Sequence, residues 1–194
     1  MKSFLSKYSL FLLLLFAVAC KKNEPASSSI SEPKIENSIR YAKGFEIYKY
    51  EGFSIVKLSN PWAEANKTFT YVLHKKGVSL PDSLKNYTSL QVPIKSVVVT
   101  STTHIPSLEM LGVENTLLGF PDTNLISSEK TRKLIDAGKV KEVGANQSLN
   151  TERLIDLDPE ALVGYSSGSD TKTYDNLQKN GLKVFFNGGW MEES

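Results

Sequence analysis

Apolar positions follow two different rhythms along this chain. Phe45, Ile47 and Tyr48 begin a run that continues through Tyr50, Phe53, Ile55, Val56 and Leu58. Glu51-Gly52 interrupts it as a turn, so two paired strands are expected. Phe69, Tyr71 and Leu73 then alternate with Thr70, Val72 and His74, which predicts a further strand. Gly77, Pro81, Asn86 and Pro93 mark loops and short strands. From Ser96 the rhythm changes. Val97-Val98-Val99 is a continuous apolar run, as suits a strand covered on both faces. Strands and helices alternate after it, the order of an α/β layer fold with a parallel sheet. Helices are expected over Ile105 to Leu111, from a Ser127-Ser128 cap to Ala137, from an Asn150 or Thr151 cap through Ile155, and over Thr171 to Asn180. Gly112, Gly138 and Gly181 supply three of the stops. Strands are expected at Thr116 to Phe120, at Val143, at Ala161 to Tyr165 and at Val184 to Phe186. In the third helix Leu154, Ile155 and Leu157 are assigned to the buried side, and Arg153 and Asp156 to the outer one.

The first residues follow neither rhythm. Leu10 to Phe16 is wholly apolar, preceded by Lys2 and Lys7 and followed by Ala17-Val18-Ala19. The run is shorter than the roughly 20 residues that span a bilayer, so residues 1–19 read as an export signal. Cys20 follows directly, and the arrangement resembles a lipobox whose cysteine is diacylated. Residues 20–40 read as a flexible tether, rich in Ser, Pro, Lys and Glu and too polar to offset the entropy of ordering. Residues 41–95 form a β-rich extension and residues 96–194 an α/β lobe. The body is thus expected to be exported and lipid-anchored to a bacterial membrane, facing the periplasm or the cell exterior.

Composition narrows the chemistry. The 194 residues are 40% hydrophobic and 23% charged, an ordinary globular balance. The net charge of +2 resides in Lys2 and Lys7, leaving 21 basic and 21 acidic groups in residues 20–194. A neutral body argues against a nucleic-acid partner, which calls for a basic face. One cysteine excludes a disulfide framework and a cysteine-based zinc site, and two histidines, His74 and His104, argue against a multi-histidine metal centre. No phosphate loop, dinucleotide fingerprint or two-histidine helix motif occurs, so no cofactor is expected. His74, beside Lys75 and Lys76, reads as a solvated loop residue.

Two segments carry candidate chemistry. Gly164-Tyr165-Ser166-Ser167-Gly168 matches the G-x-S-x-G nucleophile elbow and stands between a predicted strand and helix. The hydrolase reading fails on order, since no histidine follows Ser166, and Gly168-Ser169-Asp170 adds a loop before Thr171. A serine esterase built on Ser166 remains the enzymatic alternative, and a non-catalytic surface lipoprotein using residues 41–95 the structural one. Ser101-Thr102-Thr103-His104 follows the first parallel strand. In parallel sheets, ligands bind outside the carboxyl ends of the strands. The loops at Ser101–His104, Phe120–Asn124, Gln147–Leu149 and Ser166–Asp170 are therefore expected to gather at one edge. From them Thr102, Thr103, His104, Phe120, Asp122, Gln147, Tyr165, Ser166 and Ser167 are the candidate ligand contacts. Phe120 and Tyr165 would offer flat apolar surface, and the hydroxyls polar anchors. Capping of the helix by Thr102 or Thr103, and core packing of Phe120, are the competing assignments.

Several segments in series resemble the substrate-binding proteins of ABC importers, in the group that takes up iron–siderophores, haem and cobalamin. The series is Val97-Val98-Val99-Thr100-Ser101 leading to Pro106-Ser107-Leu108-Glu109-Met110-Leu111-Gly112, then Leu117-Leu118-Gly119-Phe120. It continues with Asn150-Thr151-Glu152-Arg153-Leu154-Ile155-Asp156-Leu157-Asp158-Pro159-Glu160-Ala161-Leu162-Val163 and Gly181-Leu182-Lys183-Val184. The resemblance covers about residues 96–190. It implies one α/β lobe of a two-lobed class III binding protein, the N-terminal one, with the chain stopping before the helix that links the lobes. It implies a receptor that captures a metal chelate and delivers it to a membrane permease without chemical change. It also implies that Glu152 docks to that permease.

Overall fold

The hairpin expected around Glu51-Gly52 is present. The computed structural model describes residues 35–145, 148–166, 168 and 171–189, and in it β1 (Phe45–Lys49) pairs antiparallel with β2 (Phe53–Ser59). β3 (Thr68–His74) continues the antiparallel sheet, with Phe53 opposite His74. Residues 88–91 form β4 (Thr88–Gln91), which lies parallel to β3 and completes the order β1-β2-β3-β4. Asn37 closes the β1 edge, its Oδ1 accepting the N–H groups of Ile39 and Ile47.

The second half alternates as its pattern requires. β5 (Val97–Val99) leads to α1 (His104–Met110), β6 (Leu117–Phe120), α2 (Glu129–Asp136) and β7 (Lys141–Glu142). A small hairpin of β8 (Gly144–Ala145) and β9 (Ser148–Leu149) precedes α3 (Thr151–Leu157), β10 (Ala161–Gly164), α4 (Thr171–Lys179) and β11 (Val184–Phe186). The sheet order is β11-β10-β5-β6-β7, and every pairing in it is parallel. All three valines of β5 are buried, which is why that strand reads as an unbroken apolar run. Val143 falls between β7 and β8. It is still tied to the sheet, because its N–H donates to the Phe120 carbonyl.

Helix starts follow the sequence signals. Ser128 Oγ accepts the Thr131 N–H at the head of α2, and Asn150 Oδ1 accepts the Arg153 N–H at the head of α3. Asn150 is therefore the cap, and Thr151 the first helical residue. The inward assignment of Ile155 needs correction. Leu154 is fully buried and Leu157 half-buried, but Ile155 is exposed. A seven-residue helix presents a narrow inner stripe three or four residues apart, and Ile155 lies about 100° round from Leu154. Across the helices, Glu109 accepts the hydroxyls of Ser128 and Thr131, which ties α1 to the start of α2.

The extension and the α/β lobe share one core. Trp62 and Phe69 pack against Phe186, with Trp62 edge-on at 5.3 Å, and Tyr71 is tilted against Phe185 at 4.9 Å, while Tyr174 meets Phe186 edge-on. β11 is an edge strand. Its Lys183 carbonyl and Asn187 N–H face β10, so the Phe186 N–H between them points away from the sheet. Tyr71 Oη accepts that N–H at 2.9 Å, across 115 residues of sequence. Burial pushes the Tyr71 phenol up to about 12.

Candidate ligand-binding site

Because β5, β6, β7 and β10 run the same way, the loops that leave their carboxyl ends emerge at one edge of the sheet. Ser101–His104 and Phe120–Asn124 follow β5 and β6, and the loop at Ser166 follows β10, but Ser148–Leu149, expected as a fourth loop, is the second strand of the β8–β9 hairpin. Of their candidate residues, Gln147 and Ser167 lie outside the described residues, as does the lipidation candidate Cys20.

The loop after β5 is closed by its own hydroxyls. Ser101 Oγ and Thr103 Oγ1 are 2.8 Å apart, and Ser101 Oγ also accepts the Thr103 N–H. Thr103 stands at the cap position of α1 without a side-chain capping bond, and Thr102 and Thr103 are both exposed. His104 follows, buried. Its Nδ1 has no hydrogen-bond partner among the described residues, and burial pushes its imidazole down to about 4. At neutral pH it is therefore an uncharged ring at the mouth of the helix.

Phe120 is fully buried, so its ring belongs to the core and presents no face to a ligand. Asp122 is half-buried, and its Oδ1 accepts the Asn124 N–H to start a single 3-10 turn. Glu152 sits exposed in the first turn of α3, where the helix N-terminal charge favours a carboxylate.

The loop after β10 is the most constrained. Tyr165 is 37% exposed, whereas Ser166 is 2% exposed. Ser166 Oγ accepts the Gly168 N–H at 2.9 Å. The two glycines of the elbow-like motif serve aromatic rings instead. A Cβ on Gly164 would lie 2.9 Å from the Tyr174 ring, and one on Gly168, at φ +102°, would lie 3.2 Å from the Trp62 indole. Only glycine lets those rings approach so closely. A buried serine whose oxygen already accepts within its own turn is a poor nucleophile to present to an ester.

Trp62 is the residue the sequence reading passed over. It comes from the extension, yet touches the loop after β10. Its one signal is the Pro61-Trp62 pair, buried within the otherwise largely exposed stretch 60–67. Beside it lies an apolar cavity of about 370 Å³ between Phe45, Leu58, Val163 and the Phe186–Gly189 segment. Among the described residues no helix is long and apolar enough to cross a membrane.

Residues 97–189 match the periplasmic binding protein family, so the resemblance drawn from the sequence holds over the α/β lobe. Two uncharacterized lipoproteins of Methanocaldococcus jannaschii are similar. MJ0872 is 26% identical over 79% of this chain and 39% of its own length, and MJ0878 is 22% identical over 84% and 44%. The chain thus spans about two fifths of the length of these relatives. Among solved structures, the petrobactin-binding protein YclQ of Bacillus subtilis aligns with a TM-score of 0.43, at 22% identity over 53% of this chain and 34% of that one.

Proposed function

We propose that this chain is the solute-binding part of an ABC importer: a lipid-anchored receptor lobe that captures a metal chelate and passes it unaltered to a membrane permease. The observation that carries the reading is the periplasmic-binding-protein match. It falls on residues 97–189, the part of the chain whose strand-end loops share one edge. Iron–siderophore, haem and cobalamin-like compounds are the ligand class, as the sequence resemblance implies. Thr102 and Thr103 supply exposed hydroxyls, Tyr165 an exposed ring and His104 a neutral imidazole. Asp122, Gln147 and Ser167 complete the proposed loop surface by their places in the chain, with Ser166 buried beneath it.

Glu152 is the proposed permease contact. It is exposed, and its helix neighbours Arg153, Asp156 and Leu157 line, with Lys141 and Glu142, a hollow of about 300 Å³. A carboxylate at such a surface steers a basic partner more than it tightens the complex. Cys20 is the proposed anchor, supported by its place after the apolar run and by the naming of both relatives as lipoproteins.

Titration of the full chain, kept in detergent, with haemin, cyanocobalamin and a ferric tris(catecholate) in turn tests the reading. Saturable binding of at least one, with a dissociation constant on the order of 1 μM or tighter, is expected. Absence of saturable binding to all three refutes it.

A further inference from the structure

The loop that carries Tyr165 is held by a closed circuit of hydrogen bonds. The Tyr165 N–H donates to Thr100 Oγ1 at 2.7 Å. Tyr174 Oη donates to the Tyr165 carbonyl at 2.8 Å, because a carbonyl can only accept. The remaining pair, Thr100 Oγ1 and Tyr174 Oη at 3.1 Å, then has one direction left, with the threonine hydroxyl donating to the phenol. The circuit runs from the Tyr165 N–H through Thr100 and Tyr174 back to the Tyr165 C=O. Both backbone groups of one residue are thus fixed by two side chains from other elements, Thr100 just past β5 and Tyr174 on α4.

The surroundings make the circuit rigid. Thr100 is 5% exposed and Tyr174 is 1% exposed, so water does not compete for these bonds. Tyr174 lies against Gly164 and Trp62 against Gly168. Tyr165 alone of this group turns outward. A half-exposed aromatic side chain on a backbone locked at both polar groups has only its own side-chain torsions left to order when it meets a ligand.

We propose that Thr100 and Tyr174 are positioning residues, which hold Tyr165 as a preset aromatic contact for the bound solute at the carboxyl edge of the sheet. The proposal rests on the solute-binding reading above. Its substance is a role for two residues that never reach the ligand. It also accounts for the G-x-S-x-G pattern, whose glycines admit the Tyr174 ring that closes the circuit and the Trp62 ring that braces it.

The test uses the full chain and four variants. Tyr174→Phe keeps the ring on Gly164 and removes only Oη; Thr100→Val removes the hydroxyl at constant shape; Thr100→Ser restores it; Tyr165→Ala removes the contact itself. In the ligand-free chain, amide exchange at Tyr165 read by NMR is expected to accelerate at least tenfold in Tyr174→Phe and Thr100→Val. It should return to the wild-type rate in Thr100→Ser. For whichever of haemin, cyanocobalamin or ferric tris(catecholate) the wild type binds, Tyr174→Phe should weaken binding three- to tenfold. The double variant Tyr165→Ala/Tyr174→Phe should bind no more weakly than Tyr165→Ala alone. A merely structural role for Tyr174 predicts losses that multiply instead. Unchanged exchange at Tyr165, or multiplying losses, overturns the proposal while the solute-binding reading stands. Failure of the wild type to bind any of the three probes overturns that reading, and the role assigned to the circuit with it.

Discussion

Removing one oxygen from Tyr71 tests how the two sheets are joined. Tyr71→Phe leaves the ring packed against Phe185 but deletes the acceptor of the outward-facing Phe186 N–H. Both residues are buried, so the abandoned amide finds no water in exchange. The cost of leaving such a donor unpaired is about 1–3 kcal/mol at pH 7. The alkaline limb carries a second signature. Unfolded Tyr71 gives up its proton near 10 and the folded one only near 12, since burial disfavours the phenolate. Between those values unfolding releases a proton, so the wild type loses stability as pH rises, by roughly 3 kcal/mol in full. Phenylalanine cannot take part in that loss. The gap between variant and wild type should therefore be widest below pH 10 and close, or reverse, toward pH 12. Urea melts followed by far-ultraviolet circular dichroism at pH 7 and at steps from 9.5 to 11.5 measure both arms. Deprotonation of lysines affects the two proteins alike and cancels in the difference. Equal stability at pH 7, or a gap that stays constant through the alkaline series, would refute the reasoning.

Three further outcomes are expected. His104→Leu should flatten the acid limb: unfolded histidine takes a proton near 6.5 and the folded one near 4, so the wild type loses about 3 kcal/mol across that window and the variant none of it, as thermal melts from pH 7 to 4 will show. Phe120→Ala should destabilise by about 3–5 kcal/mol in a urea melt, because its ring is fully buried; a change within about 0.5 kcal/mol would return Phe120 to the ligand surface. Glu152→Arg should leave the melting curve within about 0.5 kcal/mol of wild type, since the residue is exposed. In a full two-lobed protein the same change should slow uptake of the ligand by the importer, and normal uptake counts against permease docking at this residue.

Local patterns carried most of the lobe. The triple valine of β5, the Ser128 and Asn150 caps and the strand–helix alternation are short-range signals, and each appears where its residues stand. Ile155 was misplaced because a seven-residue helix samples too little of its period to separate neighbours by hydrophobicity alone. β4 was legible only as loop and short strand, since four residues with one buried leucine have no periodicity that announces a parallel partner. The shared edge of the candidate loops followed from strand order. Their interiors did not. Gly164 and Gly168 read as a nucleophile motif because their partners, Tyr174 and Trp62, lie ten residues ahead and about a hundred behind. A pattern within five residues contains no trace of either ring.

The parallel sheet ends in two side-chain caps. At β11 the outward N–H of Phe186 is taken by Tyr71, and at β7 the carbonyl of Glu142 is taken by the Arg153 guanidinium at 2.8 Å. β7 is in addition only two residues long, exposed, and made of a lysine and a glutamate. Open sheet edges are templates on which a strand from another molecule can grow, and short, charged or covered edges discourage that growth. A body tethered to a membrane, as proposed for this chain, would meet copies of itself at high local density. In this lobe, β-aggregation through either margin of the sheet would first have to displace a hydrogen bond the molecule already makes with itself.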